Sequence, residues 1–137
     1  MCRYVIFVKP NMTTALDSLF QALADRTRLR LLNLLGHGEI CVCYFVEIFD
    51  EPQPKISRHL AYLRRAGLVD GRRDGKWIHY QLRVPADAAA ARVLETVLAE
   101  LKSDREMLRD LKALQNACCA VRLPRSIADA PRPSIVV

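Results

Sequence analysis

Several features that would point to an enzyme or a membrane protein are missing from this sequence. No apolar run approaches the roughly 20 residues of a membrane-spanning helix. The short run Val5 to Val8 is closed by Lys9 and Pro10, and it is too short for the core of a secretion signal. No glycine-rich phosphate loop and no Ser/His/Asp constellation occurs. We therefore expect a protein that is not an enzyme, has no membrane partner and works in the cytoplasm.

Cysteines are present in an odd number, five, in a chain without a recognisable secretion signal. In that setting we expect free thiols rather than disulfides. Four of the five form two close pairs, Cys41 with Cys43 and Cys118 with Cys119, whereas Cys2 stands alone. A CxC pair could exchange disulfides, but no thioredoxin-like βαβ pattern surrounds this one. The pairing favours binding of a soft metal or metalloid over catalysis.

Positive charge is concentrated in one quarter of the chain. The whole sequence has a net charge of +6, and residues 51–83 hold eight basic and three acidic residues, a net charge of +5. A localised basic surface of this kind indicates a nucleic acid as partner, and less strongly an anionic membrane. A dimeric adaptor protein would not need this concentration of charge.

The segment 53–68 carries the centre of this charge and has the pattern of an amphipathic helix. Ile56, Leu60 and Leu63 fall on one face, which we expect to be buried. The opposite face and its flanks carry donors that suit phosphates and base edges: Lys55, Ser57, Arg58, His59, Tyr62 and Arg65. By itself this face could also be an ordinary solvated helix surface.

The neighbouring segments predict a helix-turn-helix. Helices are expected from Thr13 or Thr14 to about Ala24, over residues 26–35 with an Asp25 cap, and over residues 40–49. The last of these, which carries Cys41 and Cys43, is joined to the basic helix by a short turn. Residues 68–73 and 76–82 then flank Asp74-Gly75, a strong signal for a two-residue β-hairpin. We therefore predict a mainly α protein with a small β-hairpin wing, which is a winged helix-turn-helix.

A long helix is predicted over about residues 86–117. Its apolar residues Leu94, Val97, Leu101, Leu108 and Leu111 form a heptad-like stripe, which favours a homodimer through the terminal helices. Two recognition helices in such a dimer would read a palindromic operator in double-stranded DNA. The expected domain covers residues 13–117, with an N-terminal extension over 1–12 and a flexible tail over 118–137.

Four segments, taken together and in this order, resemble the ArsR/SmtB family of winged-helix metalloregulatory repressors. They are LADRTRLRLLNLL, EICVCYFVEIF, QPKISRHLAYLRRAGLV and RRDGKWIHYQL, and the match is closest to the arsenite-responsive ArsR branch. The resemblance implies a homodimer that blocks transcription from an operator and leaves the DNA when a toxic metal or metalloid binds. It places DNA contacts on the recognition helix and on the wing, at Gln53, Lys55, Ser57, Arg58, His59, Arg72, Arg73 and Lys76.

The arsenic-binding box of that branch looks like Glu-Leu-Cys-Val-Cys-Asp-Leu-Cys, and this chain has Glu-Ile-Cys-Val-Cys-Tyr-Phe-Val at residues 39–46. Cys41 and Cys43 match, but Val46 replaces the third cysteine and Tyr44 replaces the aspartate. Residues i and i+2 of a helix point about 200° apart, so we expect arsenic to unwind the helix that carries them. The alternative is that both cysteines only fill the core.

Cys118 and Cys119 offer a second pair of thiols. One of them could supply the missing third sulfur, or the two could form a separate site for a methylated trivalent arsenical. Alternatively, Cys118 only continues the dimer stripe. The C-terminal helix has no histidine, unlike the zinc-sensing members of the family. The expected inducer is As(III), with Sb(III) as a close analogue, and methylated arsenic, cadmium, lead and thiol oxidation are the alternatives. DNA binding itself needs no cofactor.

Overall fold

The computed structural model describes residues 10–136, with side chains from residue 15 onward. Cys2, like the rest of residues 1–9 of the expected extension, lies outside this part. The described chain forms six helices and one antiparallel sheet with strand order β1-β3-β2, which confirms the predicted fold class. The elements are α1 (Pro10–Leu23), α2 (Arg26–Leu35), β1 (Ile40–Cys41), α3 (Val42–Phe49), α4 (Gln53–Arg65), β2 (Val69–Asp74), β3 (Trp77–Leu82), α5 (Ala88–Leu101) and α6 (Arg105–Cys119).

The first two helices follow local signals. Helix α1 begins at Pro10, before the predicted Thr13 or Thr14, because proline is well accommodated in the first turn of a helix. Helix α2 begins after Asp25, whose carboxylate accepts a hydrogen bond of 3.0 Å from the Arg28 amide, as the sequence predicts. Four leucines of α2 are buried and form the centre of the core, Leu31, Leu32, Leu34 and Leu35.

The predicted helix-turn-helix is formed by α3 and α4. Asp50 ends α3 in the left-handed conformation with φ 51°, and Pro52 and Pro54 then start α4. The predicted apolar face of α4 is fully buried, since Ile56, Leu60 and Leu63 are each 0% exposed. This burial fixes which face of α4 remains outside.

The prediction of a single helix over residues 40–49 is wrong at its start. Ile40 and Cys41 form the short strand β1, which pairs antiparallel with β3 through Ile40↔Tyr80 and Cys41↔His79. Helix α3 therefore begins at Val42. The edge of β3 supplies backbone partners that the local sequence does not reveal, and the paired segment is fully buried.

The wing is the hairpin of β2 and β3. The pair Asp74↔Trp77 closes it, so the two turn residues are Gly75 and Lys76, one position later than predicted. Gly75 has φ 61°, a conformation that glycine adopts without strain.

The prediction of one long helix over residues 86–117 is also wrong. Helix α5 ends at Leu101, and Asp104 caps a new helix by accepting hydrogen bonds from the amides of Glu106 and Met107, at 2.9 and 3.2 Å. The break places the residues of the predicted apolar stripe on two separate helices. Leu94 and Leu101 are buried within their own chain, at 2% and 9% exposure, so they are not free to form a dimer seam.

The segment after α6 packs on the domain, although we expected a flexible tail. Ile127 and Ala130 are buried, and the Val136 amide donates a hydrogen bond of 2.8 Å to the His37 carbonyl oxygen. The Arg132 guanidinium donates to the Cys118 carbonyl oxygen at 3.0 Å. These contacts hold the segment across α3 and the loop before β1.

Candidate DNA-binding surface and cysteine cluster

Helix α4 presents its predicted polar face outward. Gln53, Arg58 and Arg65 are exposed, whereas the other predicted residues of this face are half-buried: Lys55, Ser57, His59 and Tyr62. Two of the half-buried residues have partners within the domain. Lys55 pairs with Glu51 at 2.8 Å, and the His59 Nδ1 lies 3.8 Å from an Asp25 carboxylate oxygen. The fully exposed side chains are therefore the freest to reach a ligand.

The surroundings of His59 favour the neutral form of its imidazole. Burial lowers its pKa, and the nearby Arg28, Lys55 and Arg58 act in the same direction, while Asp25 opposes them. A neutral imidazole donates from one nitrogen and accepts at the other. His59 therefore suits recognition of a base edge or a water better than charge neutralisation.

Arg28 is a basic residue of this surface that the sequence reasoning missed. Its guanidinium lies 4.1 Å from the centre of the Tyr62 ring and donates to the carbonyl oxygens of Ala22 and Gln21, at 2.8 and 2.9 Å. With α4 it lines a shallow concave surface. Arg28 belongs to α2, and nothing in the local sequence indicates that it lies over α4. Arg28 therefore covers one face of the Tyr62 ring, so less of this ring is accessible to DNA.

The predicted wing residues Arg72, Arg73 and Lys76 are all exposed at or near the hairpin tip. The Lys76 ammonium lies 4.8 Å from the centre of the Trp77 ring. Arg72 forms an ion pair with Glu39, and this contact holds the pKa of Glu39 below its usual range. Because Glu39 directly precedes β1, one of the wing cations is tied to the cysteine-bearing segment.

Cys41 and Cys43 lie side by side where β1 joins α3. Cys41 is fully buried with extended backbone angles, φ −69° and ψ 142°, and Cys43 lies in the first turn of α3. Burial, and to a smaller extent the neighbouring Cys41, raise the pKa of Cys43 to about 11. The expectation that the two thiols point in opposite directions is wrong, because Cys41 is not helical.

The second pair of cysteines divides between the core and the surface. Cys118 packs against the same core as Cys41 and Cys43, and burial raises its pKa, whereas Cys119 is exposed. Within residues 15–136, no three side chains of the His, Cys, Asp and Glu types are near enough to one another to hold one ion. Cys41 and Cys43 thus share one junction, and Cys118 packs against the same core. Val46, at the third position of the box, is half-buried.

The cysteine cluster is connected to both DNA-facing elements. Cys41 pairs in register with the buried His79 of β3, so it belongs to the sheet of the wing. Cys43 belongs to α3, which packs against α4. The junction of β1 and α3 therefore adjoins both the wing and α4.

The chain is similar in sequence to known bacterial regulatory proteins. Residues 25–70 match the family model described as "Bacterial regulatory protein, arsR family". The arsenical resistance operon repressor of Escherichia coli (strain K12) is 50% identical over 78 residues, which are 56% of this chain and 67% of that protein. The cadmium resistance transcriptional regulatory protein CadC of Listeria innocua serovar 6a is 35% identical over 72 residues, which are 52% of this chain and 60% of that protein.

Among solved structures, the AntR antimony-specific transcriptional repressor superposes with a TM-score of 0.55 at 27% identity, covering 73% of this chain and 88% of that one. None of the helices in residues 10–136 has the length and apolar character needed to cross a membrane. The winged helix-turn-helix fold and the exposed basic face of α4 both indicate a DNA-binding regulator. The similar proteins indicate the same. This chain belongs to the arsR family of bacterial regulatory proteins, so it is a DNA-binding transcriptional repressor and not an enzyme.

Proposed function

We propose that this protein is a repressor that leaves its operator when trivalent arsenic binds the thiolates of Cys41 and Cys43. The observation that carries the proposal is the position of these two cysteines at the junction of β1 and α3, with Cys41 extended and Cys43 in the first turn of the helix. Trivalent arsenic and antimony are soft and favour thiolate ligands, which the two neighbouring sulfurs supply. The names of the arsenical and antimony repressors among its relatives support the same class of inducer.

The DNA-binding surface of the proposal combines the exposed face of α4 with the wing. We assign to it the residues Gln53, Lys55, Ser57, Arg58, His59, Tyr62, Arg65, Arg72, Arg73 and Lys76, with Arg28 beside them. A helix of this width fits the major groove, and a hairpin beside it suits the flanking phosphates. The partner is double-stranded operator DNA in the cytoplasm, and no cofactor is needed for this contact.

A homodimer is part of the proposal, with α1 and α5 as its interface. The two helices share an open apolar groove with Leu16, Phe20, Val93 and Val97 in its lining. The Phe20 side chain is 55% exposed, which is unusual for so large an apolar group. A twofold partner would cover this surface and would place two α4 helices on a palindromic operator.

The position of Cys41 and Cys43 explains how binding of arsenic would release the DNA. Binding of arsenic draws the two sulfurs onto one atom and so shifts β1 and the first turn of α3. The hydrogen-bonded pairing of β1 with β3 passes this shift to the wing, and the packing of α3 on α4 passes it to the recognition helix. Each change of about 1.4 kcal/mol in this coupling changes operator affinity tenfold, so a small rearrangement is sufficient.

Cys118 and Cys119 are a secondary site in the proposal. Cys118 packs against the same core as Cys41 and Cys43, and the alternative to a site of two thiolates is that Cys118 supplies a third sulfur. The pair could also hold a methylated trivalent arsenical, which needs only two thiols. Cadmium, lead and thiol oxidation remain alternatives for the same cysteines, and the CadC relative gives cadmium the most weight among them.

The test is release of the protein from fluorescent DNA of its own promoter, followed by anisotropy during titration with arsenite. Wild type is compared with Cys41→Ser/Cys43→Ser, with Cys118→Ser and with Cys119→Ser, which removes the exposed cysteine of the secondary pair. We expect arsenite to release wild type and Cys119→Ser but not the double variant. A weaker response of Cys118→Ser alone would assign it as third ligand.

Two results would contradict the arsenic proposal. In the first, wild type stays on the DNA in the presence of arsenite and antimonite but is released by cadmium or by an oxidant. The other is a double variant that responds like wild type, which would show that Cys41 and Cys43 only fill the core.

Operator affinity is expected to fall steeply with salt, because each phosphate contact releases a condensed counterion. With several of the assigned cations on phosphates in each half of a dimer, the slope of log affinity against log salt should be roughly −5 to −10. Anisotropy titrations over a series of potassium chloride concentrations measure this slope. A slope near zero would argue against DNA as the partner of this surface.

A further inference from the structure

The hydroxyl of Tyr44 is an anomaly in the core. Tyr44 is 0% exposed, and its Oη has no hydrogen-bond partner among the described residues. A buried hydroxyl without a partner costs free energy, and phenylalanine would fill the same space without that cost. An orphaned buried polar atom of this kind calls for an explanation, and a ligand that supplies the missing partner is one.

The surroundings of Tyr44 indicate which ligand this would be. Tyr44 directly follows Cys43 on α3, and α3 packs against α6, which ends in Cys118 and Cys119. After burial, the strongest influence that raises the Tyr44 pKa is the charge of Cys118, with contributions from Cys41 and Cys43, while Arg132 opposes them. Tyr44 and Cys41 belong to the same buried core, and Cys43 and Cys118 pack against that core.

The chemistry of arsenous acid leaves a group for this phenol to bind. When a thiol adds, an As–S bond replaces an As–O bond, and the thiol proton leaves with the hydroxyl as water, without any change of oxidation state. The two neighbouring thiols of Cys41 and Cys43 release two waters in this way, and one hydroxyl stays on the arsenic. No third ligand of the His, Cys, Asp or Glu types is in place within residues 15–136 to displace it.

We propose that Tyr44 Oη donates a hydrogen bond to this retained hydroxyl, so that Tyr44 selects hydroxylated arsenic and antimony over methylated arsenic. This inference rests on the proposed function, since it concerns the same site. A methylated trivalent arsenical bound by the same two thiols keeps a methyl group in the place of the hydroxyl. The methyl group accepts no hydrogen bond, so it leaves the phenol without a partner. Tyr44 thus acts as a specificity-determining residue.

The experiment compares wild type with Tyr44→Phe, which removes the oxygen and keeps the ring. Release from operator DNA is titrated with arsenite and, in parallel, with monomethylarsonous acid. We expect Tyr44→Phe to need roughly three- to tenfold more arsenite for half release, because one hydrogen bond is lost. Its response to the methylated compound should not weaken. Tyr80→Phe, which also removes one hydroxyl from a tyrosine, is the matched control and should respond like wild type.

The melting temperature of the protein without arsenic is a second measurement. Because the hydroxyl has no partner in the free protein, Tyr44→Phe should keep or raise this temperature. An unchanged arsenite response, an equal loss for both arsenicals, or a lowered melting temperature would each overturn the role of Tyr44. If wild type itself responds to neither arsenical, the proposed function fails, and that outcome is separate from a selective effect of Tyr44.

Discussion

Replacing Asp110 by alanine is expected to lower the free energy of unfolding by about 3–5 kcal/mol. Asp110 lies on α6 and is only 3% exposed. Its two carboxylate oxygens accept hydrogen bonds from the Arg30 guanidinium of α2, at 2.7 and 2.8 Å. Loss of the carboxylate leaves a largely buried guanidinium with only the more distant Glu106, at 3.9 Å, as counter-ion, and such a loss is among the most costly changes in a core.

The same arginine connects a third helix to this pair. The Arg30 guanidinium lies 4.0 Å from the centre of the Phe49 ring at the end of α3. The contact therefore joins α2, α3 and α6, the last of which carries Cys118. Its loss should loosen the support of the cysteine cluster in addition to lowering stability.

A matched control exists on the same two helices. Arg26 of α2 pairs with Asp104 and Glu106, at 2.6 and 2.7 Å, but its side chain is 50% exposed. Arg26→Ala is expected to cost about 1 kcal/mol or less, because water screens an exposed pair. Urea denaturation of Arg30→Ala, Asp110→Ala and Arg26→Ala at one protein concentration makes the comparison. Equal small losses in all three variants would contradict the buried pair as a main support of the fold.

The elements that the sequence predicts well depend on local signals. The Asp25 cap, the spacing of Ile56, Leu60 and Leu63, and the glycine of the wing turn each act within a few residues. Such signals give the helix-turn-helix and the hairpin directly. The strand β1 could not be predicted in this way, since Ile40 and Cys41 become a strand only because the edge of β3 lies beside them.

The break between α5 and α6 also has a local signal. Asp104 interrupts the leucine spacing because it caps a new helix. Most of the candidate site was predictable as a set of residues, but its arrangement was not. The pairing of Cys41 with β3, the position of Arg28 over Tyr62 and the orphaned Tyr44 hydroxyl all depend on packing between elements.

Arg58→Ala is expected to weaken operator binding by about tenfold to a hundredfold for each recognition helix. Arg58 is exposed on the outer face of α4 and makes no hydrogen bond or ion pair with other described side chains. By contrast, Arg72 of the wing is already paired with Glu39. A free guanidinium can donate two parallel hydrogen bonds to a guanine edge or to a phosphate, so its loss removes a strong contact.

Anisotropy on operator DNA and on a scrambled duplex, at one salt concentration, separates these two roles of Arg58. A base contact lowers the preference for the operator, whereas a phosphate contact weakens both complexes equally and makes the salt slope less steep by about one unit per contact. Arg109→Ala is the control, because it removes the same charge from an exposed position on α6. Equal effects of the two substitutions would mean that net charge alone attracts the DNA. An unchanged affinity of Arg58→Ala would argue against α4 as the recognition helix.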